Sequence, residues 1–585
     1  MEPRAAAAIL SEVATLLELR GERADKSRAL RDAARALLQD SDTATDGPDA
    51  PLSGRTVLQG LDASTTAILR EIDESGDSDT LHVLRETTPE GFFDMLRVPG
   101  LGTKRIREIH AGLGLETLHE LELAAKDGRL AALPRFGARA AERILRGIAY
   151  LRESGQPTLY PHARAEAGAL VDALRAWQGV SRVELAGSLR RSCEVIGDID
   201  VVVAAESPAE VSARLSSLPG VRDAMSTGHH AVSLRFEDGT RADVYCVDIA
   251  RFPVALWRAT GSAEHCADVL ADAQSLTMVG DQLRDADGRT VPIDSEGALY
   301  HAFGLQFTPP ELREGMGEVD AARAGALPAL IEAHDIRGVL HCHSQYSDGT
   351  TTIEQLAQGA RARGWTYLGI TDHSQSSFYA GGLSPDAVLR QHEEIDRLND
   401  ALDGIRILKG IEADILPDGT VDYDNALLDR FDYVIASVHS RFAMDETQMT
   451  DRVVRAMDDP HVTILGHPTG RLLLTREPYA IDMETVLRHA AAVGVAVELN
   501  ADPHRLDLDW RWLRVAQRVG ATIEIGPDAH SLDGLDHMQI GIGIARKGWL
   551  SPANVLNARD VAGVLSFAGA RRGVTPGPAA SGGAR

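Results

Sequence analysis

Only four cysteines occur in the 585 residues of this chain, and they are scattered: Cys193, Cys246, Cys266 and Cys342. No Cys-x-x-Cys pair is present, which argues against a disulfide framework or a thiolate zinc site and fits a reducing cytoplasm. Long apolar runs are missing too. The longest, around Ala490–Val497, falls well short of the roughly 20 residues that span a bilayer. The short run Ala5–Leu10 behind Met1-Glu2-Pro3-Arg4 makes no convincing signal peptide. A soluble protein with no membrane role is expected. The third absence is an excess of positive charge. The formal net charge of −26 counts against broad electrostatic binding of nucleic acid, while leaving room for local binding by backbone amides, metals and a few arginines. The chain is too long for one ordinary core, so several domains are expected.

What the sequence does have, late in the chain, is a metal-binding side chain at the end of one strand-like run after another. Val339–Leu340 leads into His341-Cys342-His343 and Asp348. Thr366–Ile370 ends at Asp372-His373, Ile405–Gly410 at Glu412, and Tyr433–Val438 at His439. Val462–Gly466 ends at His467, and Ala521–Gly526 at Asp528-Ala529-His530. Imidazoles and carboxylates are the ligands that borderline divalent metals prefer. A single histidine at a strand end is ordinarily a packing or surface residue. Repetition in successive strand–helix units points instead to a shared, multi-metal pocket. Helix-patterned stretches alternate with these runs: Ile353–Arg363, Pro385–Ala401, Met449–Met457, Met483–Ala492 and Asp509–Arg518. Gly364, Gly404, Gly494 and Gly520 stand where left-handed helix ends are needed. With Val495–Leu499, about seven strands each precede a helix or a loop, the pattern of a parallel barrel with its site at the strands' carboxyl ends. An open doubly wound sheet is the alternative.

From about Ile336 to Leu550 these motifs, with Gly410-Ile411-Glu412, Ser437-Val438-His439 and Gly466-His467-Pro468, resemble the polymerase-and-histidinol-phosphatase (PHP) domain. The resemblance implies a trinuclear site. His341, His343, Glu412 and Asp528 would hold one ion; Glu412 would bridge to a second held by His439 and His467; Asp348, His373 and His530 would hold the third. Such a cluster suits phosphoester hydrolysis. Arg471, just after His467-Pro468-Thr469-Gly470, is either a phosphate clamp or a surface salt bridge.

The front of the chain carries other signals. Ala5–Leu19 and Lys26–Leu38 read as amphipathic helices and Gln39–Gly54 as a loop. Gly100-Leu101-Gly102-Thr103-Lys104 precedes the helical run Arg105–Gly112, and Leu133-Pro134-Arg135-Phe136-Gly137 precedes Ala138–Leu151. A helix, a glycine turn and a second helix form a helix-hairpin-helix, whose exposed N–H groups face a DNA phosphate without reading sequence. This marks Gly100, Gly102, Lys104 and Gly137 as DNA-binding candidates. Next, the strand Arg182–Ala186 ends in Gly187-Ser188-Leu189-Arg190-Arg191, and Gly197-Asp198-Ile199-Asp200 opens Val201–Ala204. A hairpin joins Val232–Phe236 to Arg241–Val247, which carries Asp243. Alternation puts Asp198 and Asp200 on one face, and Asp243 could complete a trio that makes sense only around cations. Two Mg²⁺ ions there could align a 3′-hydroxyl with a nucleotide α-phosphate.

From about Arg20 to Leu550 the chain resembles the DNA polymerase X family in its bacterial form, with an attached PHP domain. The resemblance implies that Gly187 and Ser188 open the nucleotidyltransferase turn and that Ser188 and Arg191 contact the triphosphate. It further implies that Asp198 and Asp200 bind both metals, that Asp243 activates the primer hydroxyl, and that Gly261 in Thr260-Gly261-Ser262 lies beside the incoming sugar, with Gly197 also on the nucleotide side. Several positions depart from the family. Ala259, preceded by Arg258, replaces the aromatic under the sugar; Cys266 replaces a base-contacting Asn; Leu270 replaces an Arg near the template; Asp62 replaces a hairpin glycine after Gly60. Arg70 stands where eukaryotic relatives place a Schiff-base lysine. A guanidinium stays protonated and forms no imine, so no lyase activity is expected through that position.

The expected fold is multidomain: an α-helical helix-hairpin-helix N-terminal region, an α+β nucleotidyltransferase palm and thumb core, and a C-terminal α/β distorted (β/α)7 PHP barrel. Expected boundaries are 1–85 (lyase-like), 86–157 (helix-hairpin-helix), 158–248 (palm), 249–317 (thumb-type), 318–335 (linker, with a short helix over Ala321–Ala329), 336–572 (PHP) and 573–585 (disordered tail). Expected cofactors are Mg²⁺ or Mn²⁺ in front and Mn²⁺, Zn²⁺ or Fe at the trinuclear site. Expected partners are gapped or nicked duplex DNA, its 3′ ends, and dNTPs, bound by a cytoplasmic, nucleoid-associated monomer. The expected function is short-gap filling in DNA repair with a 3′-5′ exonuclease and abasic-site activity. The alternative is a PHP phosphoesterase whose polymerase half is a DNA-binding scaffold.

Overall fold

A computed structural model describes residues 3–21, 24–43, 52, 61, 63–75, 78–86, 88–89, 91–98, 101–153, 157–226, 231–271 and 276–573. Gly60, Asp62, Gly100, residues 44–51 and 53–54 of the expected Gln39–Gly54 loop and the residues after Gly573 lie outside the described residues, while residues 39–43 continue a helix rather than open that loop.

The front is helical because its apolar residues recur at helical spacing. In α1 (Pro3–Arg20), Ala6, Leu10, Val13 and Leu17 are buried; in α2 (Ala24–Thr43), Leu30, Ala33 and Leu37 meet them. The same core continues through α3 (Gly91–Arg97), α4 (Thr103–Leu113) and α5 (Gly137–Glu153), with Phe92, Met95, Ile106, Ile109, Ile144 and Ile148 inside. The Arg85–Glu12 pair, at 2.6 Å, straps distant parts of this bundle together.

The middle is a mixed sheet. Its strands are β1 (Val180–Leu185), β2 (Ile199–Ala205), β3 (Val221–Ser226), β4 (Ala231–Phe236) and β5 (Arg241–Val247), in the order β1-β2-β5-β4-β3. Only β2 and β5 run parallel. Their apolar residues, such as Val201, Val203, Val244 and Cys246, are buried under the helix Tyr160–Arg175. A one-turn helix, α6 (Gly187–Arg190), follows β1, and α7 (Phe252–Thr260) and α8 (Ala263–Ala271) open a separate apolar cluster around Trp257 and Tyr300.

The joint differs from the helix expected over Ala321–Ala329. Helix α9 instead spans Glu318–Arg323. Gly325 at φ 64° and Pro328 stop it.

The rear is a set of parallel strands buried on both faces, as expected when helices cover a sheet. One sheet runs β6 (Gly338–Val339), β7 (Tyr367–Ile370), β8 (Arg406–Lys409). The other runs β9 (Glu412–Asp414), β10 (Val434–Ser437), β11 (Val462–Leu465), β12 (Ala496–Asn500), β13 (Ile523–Gly526). β8 and β9 are successive pieces of one path, so seven strand positions result. Single parallel bridges, His373 to Glu412 and Cys342 to Ala529, join the two sheets on both sides, both among the candidate ligand motifs. Helices Ile353–Ala362, Pro385–Ala401, Glu446–Met457, Met483–Val493 and Trp510–Val519 cover the outside, and α10 (His537–Lys547) follows β13. Gly494 and Gly520 close their helices at φ 77° and 80°. Among the described residues, no helix is long and apolar enough to cross a membrane. The four cysteines form no disulfide.

Candidate metal and nucleotide sites

At the strands' carboxyl ends the nine rear candidates converge. Glu412 stands at the centre. His467 Nε2 lies 2.9 Å and His439 Nε2 3.2 Å from its Oε1; His373 Nδ1 lies 3.0 Å from its Oε2, with His341 and His343 each 3.6 Å away. His343 Nε2 approaches Asp528 Oδ1 at 3.2 Å, and Asp348 lies 3.4 Å from His373 and 3.5 Å from His530. Three groupings have donor atoms within 4.8 Å of one another: His343, Asp348, His373 and His530; His341, His343 and Asp528; and His373, Glu412 and His439. His343 and His373 each belong to two of them.

Alternation explains the arrangement. His341 and His343 point into the pocket while Cys342 between them is fully buried in the core. The chemistry of the set fits cations. His341 Nε2, both ring nitrogens of His343, His373 Nδ1 and Glu412 Oε2 are buried beside one another's charges without a well-aligned hydrogen bond, a cost that a divalent ion would remove. Burial pushes the carboxyls of Glu412, Asp528 and Asp348 up, but neighbouring imidazoles outweigh it and hold all three well below their usual range. Carboxylates in turn overcome burial to raise His341 and His373 well above the imidazole norm and His530 to about 9. His343 goes the other way, to about 3, through burial and then the neighbouring His530 and His373. Protons and divalent cations are alternative ways to balance the same carboxylates. The pocket opens at one corner: the His530 side chain is 41 % exposed, whereas those of His341 and His343 are fully buried.

A supporting layer went unread in the sequence. Glu498 accepts from His341 Nδ1 at 2.5 Å and from the His467 backbone N–H at 2.6 Å. Asp414 meets His439 Nδ1 at 2.6 Å and accepts from Ser376 and Ser377, while Asn500 donates to Asp528 at 2.9 Å. Such partners fix ring orientation and ligand basicity. Gly526 is required beside them, since a Cβ there would stand 2.2 Å from Glu498 Oε1. Asp528 itself is held at φ 48°, the kind of strain that a packed surrounding sustains at functional positions. The only available signals were polar residues inside otherwise apolar strands. Asp372, beside His373, turns to the Ser344 and Ser347 hydroxyls and Gln391 rather than the pocket.

Arg471 is not a phosphate clamp in this arrangement. Its guanidinium donates to Asp509 at 2.8 Å, to Glu194 at 3.1 Å and to the carbonyls of Arg505 and Leu506. Glu194 belongs to the front half, so the residue is not the expected surface salt bridge either but a buried strut between the halves.

In the front site, β2 and β5 place Asp200 directly beside Asp243, and Asp198 lies two residues earlier on the same side. The Ser233 hydroxyl donates to Asp243, and the Tyr245 hydroxyl to Asp200 at 3.3 Å. Burial, then Asp198 and Asp243, push the Asp200 carboxyl up to about 7; burial and Asp243 raise Asp198. Gly187, at φ 60°, packs so tightly on this carboxylate that a Cβ would lie 1.9 Å from Asp200 Oδ2. Ser188 follows in α6, and Gly197 is exposed just ahead of Asp198. Arg190 forms a bidentate pair with Glu296 at 2.6 and 3.0 Å. Arg191 donates through Nε to Glu314 and through Nη1 to the Thr260 carbonyl, both at 2.8 Å. Gly261 caps α7 next to that carbonyl. Arg258 is drawn to Asp281 at 2.6 Å, and Cys266 and Leu270 sit half-buried on α8.

Farther forward, exposed Gly102 and Lys104 begin α4, and exposed Gly137, at φ 66°, begins α5. The sequence reading missed Arg139, Arg143 and Arg146, which are exposed at helical spacing on α5. Arg70 is exposed on the helix Ala63–Ser75.

Three family models match parts of the chain: a SAM-like helix-hairpin-helix tandem over residues 92–149, a DNA polymerase beta thumb over 255–314, and a PHP domain over 340–501. Fold and matches together define an enzyme class, a nucleotidyltransferase joined to a PHP phosphoesterase. The DNA polymerase/3′-5′ exonuclease PolX of Bacillus subtilis is 36% identical over 570 residues, covering 96% of this chain and 98% of that protein. A probable phosphatase of Syntrophotalea carbinolica is 36% identical over 166 residues, 28% of this chain and 64% of that protein. The chain belongs to the DNA polymerase X family, in the form that carries a C-terminal PHP domain.

Proposed function

We propose that this protein fills short gaps in DNA by template-directed nucleotide addition in its front half and removes 3′-terminal nucleotides or blocked 3′ ends in its PHP half, with abasic-site incision as a further activity of the rear pocket. One observation carries the reading: two donor sets of different character, carboxylate-only and imidazole-rich, occur in a chain that matches a polymerase/exonuclease almost end to end.

In front, Asp198, Asp200 and Asp243 would hold Mg²⁺ or Mn²⁺. Behind, His341, His343, Asp348, His373, Glu412, His439, His467, Asp528 and His530 would hold Mn²⁺, Zn²⁺ or Fe. Bound ions supply charge neutralisation and a hydroxide near neutral pH. The protein's own groups do the rest. Asp243, oriented by Ser233, accepts the primer hydroxyl proton. Gly187, Ser188 and Arg191 seat the triphosphate of a dNTP, with Gly197 and Gly261 lining its approach. Glu498 and Asp414 lock the rear imidazoles in orientation. Gly100, Gly102, Lys104 and Gly137 meet gapped or nicked duplex through phosphates, extended by the α5 arginines. The protein acts as a cytoplasmic, nucleoid-associated monomer.

The test is a gapped, 5′-phosphorylated duplex with Mn²⁺, with and without nucleotides. Asp198→Ala abolishes extension and spares shortening; His341→Ala does the reverse. Loss of both activities from either substitution, in folded protein, rejects separate sites. The pairing of Arg258 with Asp281, together with Ala259 and Cys266, favours a second reading in which the front half only binds DNA. Extension across a one-nucleotide gap that depends on Asp243 rejects it.

A further inference from the structure

The turn that follows α6 is built against the PHP half. Ser192 is left-handed, at φ 54°, a strained conformation that persists only where the surroundings impose it. What it meets is α10. The Ser192 side chain fills the space over Gly543, where a Cβ would lie 3.0 Å from its Oγ. One helical turn on, Lys547 reaches the same segment. Its ammonium donates to the Arg191 carbonyl at 3.1 Å and to Glu314 Oε1, the same oxygen that accepts from Arg191 Nε. Lys547 is 1 % exposed and Glu314 17 %, so water does little to screen this cluster. A second strut, Arg471 to Glu194, holds the end of the turn from the His467 loop.

We propose that Lys547 and Glu314 are positioning residues of the polymerase reaction: a PHP helix sets the pose of the triphosphate-binding turn and its Arg191. This rests on the reading of Arg191 as a triphosphate ligand. The hydrogen bonding gives the reason. Glu314 engages Nε and the Thr260 carbonyl engages Nη1. Together they fix the plane of the guanidinium, the pre-organisation that planar recognition of a phosphate requires. Lys547 anchors both ends of this arrangement, the carboxylate and the backbone carbonyl. Loosening it leaves the aspartates in place and costs nucleotide binding rather than chemistry.

The experiment uses the full chain and a one-nucleotide gap. Lys547→Met is expected to raise KM for the nucleotide about tenfold, the loss typical of one charge-assisted hydrogen bond, with kcat and nucleotide-free 3′ shortening unchanged. Glu314→Gln acts in the same direction, and the double variant is no worse than the worse single, since both act through Arg191. Arg191→Ala serves as the reference. If it raises KM while Lys547→Met and Glu314→Gln do not, the positioning role is wrong and the assignment of Arg191 stands. If Arg191→Ala leaves KM unchanged, both fall. Should Lys547→Met fail to fold, seen as lost shortening and lost thermal transition, Glu314→Gln decides alone.

Discussion

The two candidate metal sites solve opposite electrostatic problems. The rear pocket mixes imidazoles with carboxylates, so its groups attract one another and form three groupings with donor atoms within 4.8 Å. The front trio is all carboxylate. Among the described residues it forms no such tight grouping, and Asp200 is driven towards neutrality, its carboxyl raised to about 7. Like charges in a partly buried place stay apart or take up protons until cations come.

Breaking the front site without touching a carboxylate has the largest expected effect. Gly187→Ala forces a methyl onto Asp200 Oδ2, 1.9 Å away. Nucleotide addition should fall by about 10³-fold, comparable to losing one preorganised charge-stabilising group, while 3′ shortening continues. Equal loss of both activities in a single assay would remove the contrast. Next comes the strut between the halves. Arg471→Met breaks buried pairs with Asp509 and Glu194 and should cost about 3 kcal/mol in urea unfolding, with the KM of shortening unchanged. A raised KM would return Arg471 to the role of phosphate clamp.

The smallest effect is a pH dependence of the front site. Below pH about 4 the Asp200 carboxyl is protonated in both folded and unfolded chains. Between there and about 7 the unfolded chain releases a proton that the folded one keeps, so stability falls as pH rises and levels off above that window. In chelator, Asp200→Asn should be more stable than the parent at pH 8 by about 2 kcal/mol, half of what the full rise would give because the carboxyl is partly solvated, and close to it at pH 4. Mg²⁺ should narrow the gap at pH 8. An identical difference at both pH values would mean that Asp200 is no more perturbed than a surface carboxylate.

The rear donors were legible because they follow the ends of successive apolar runs, and period-two alternation tells which neighbours turn inward, as with His341 and His343 around Cys342. Glu498 was not legible: a charge inside Ala496–Asn500 says nothing about which imidazole, 157 residues away, will take it up. Arg471 shows the same limit. Its spacing after His467 suits a phosphate clamp equally well, and only the packing of Glu194 against it, 277 residues distant in sequence, makes it a strut.

By itself the sequence determined the residue types, their alternation along strands and the glycines at helix ends, because these follow from local backbone geometry and side-chain chemistry. It also carried the helical, mixed-sheet and parallel-strand order of the chain. The tertiary structure alone decided how tightly each donor set closes, which buried carboxylates orient the imidazoles, and that Lys547 of one half grips Arg191 of the other across 356 positions. Those outcomes depend on long-range packing and on the balance of burial against opposite charge, and neither quantity exists until distant segments have met.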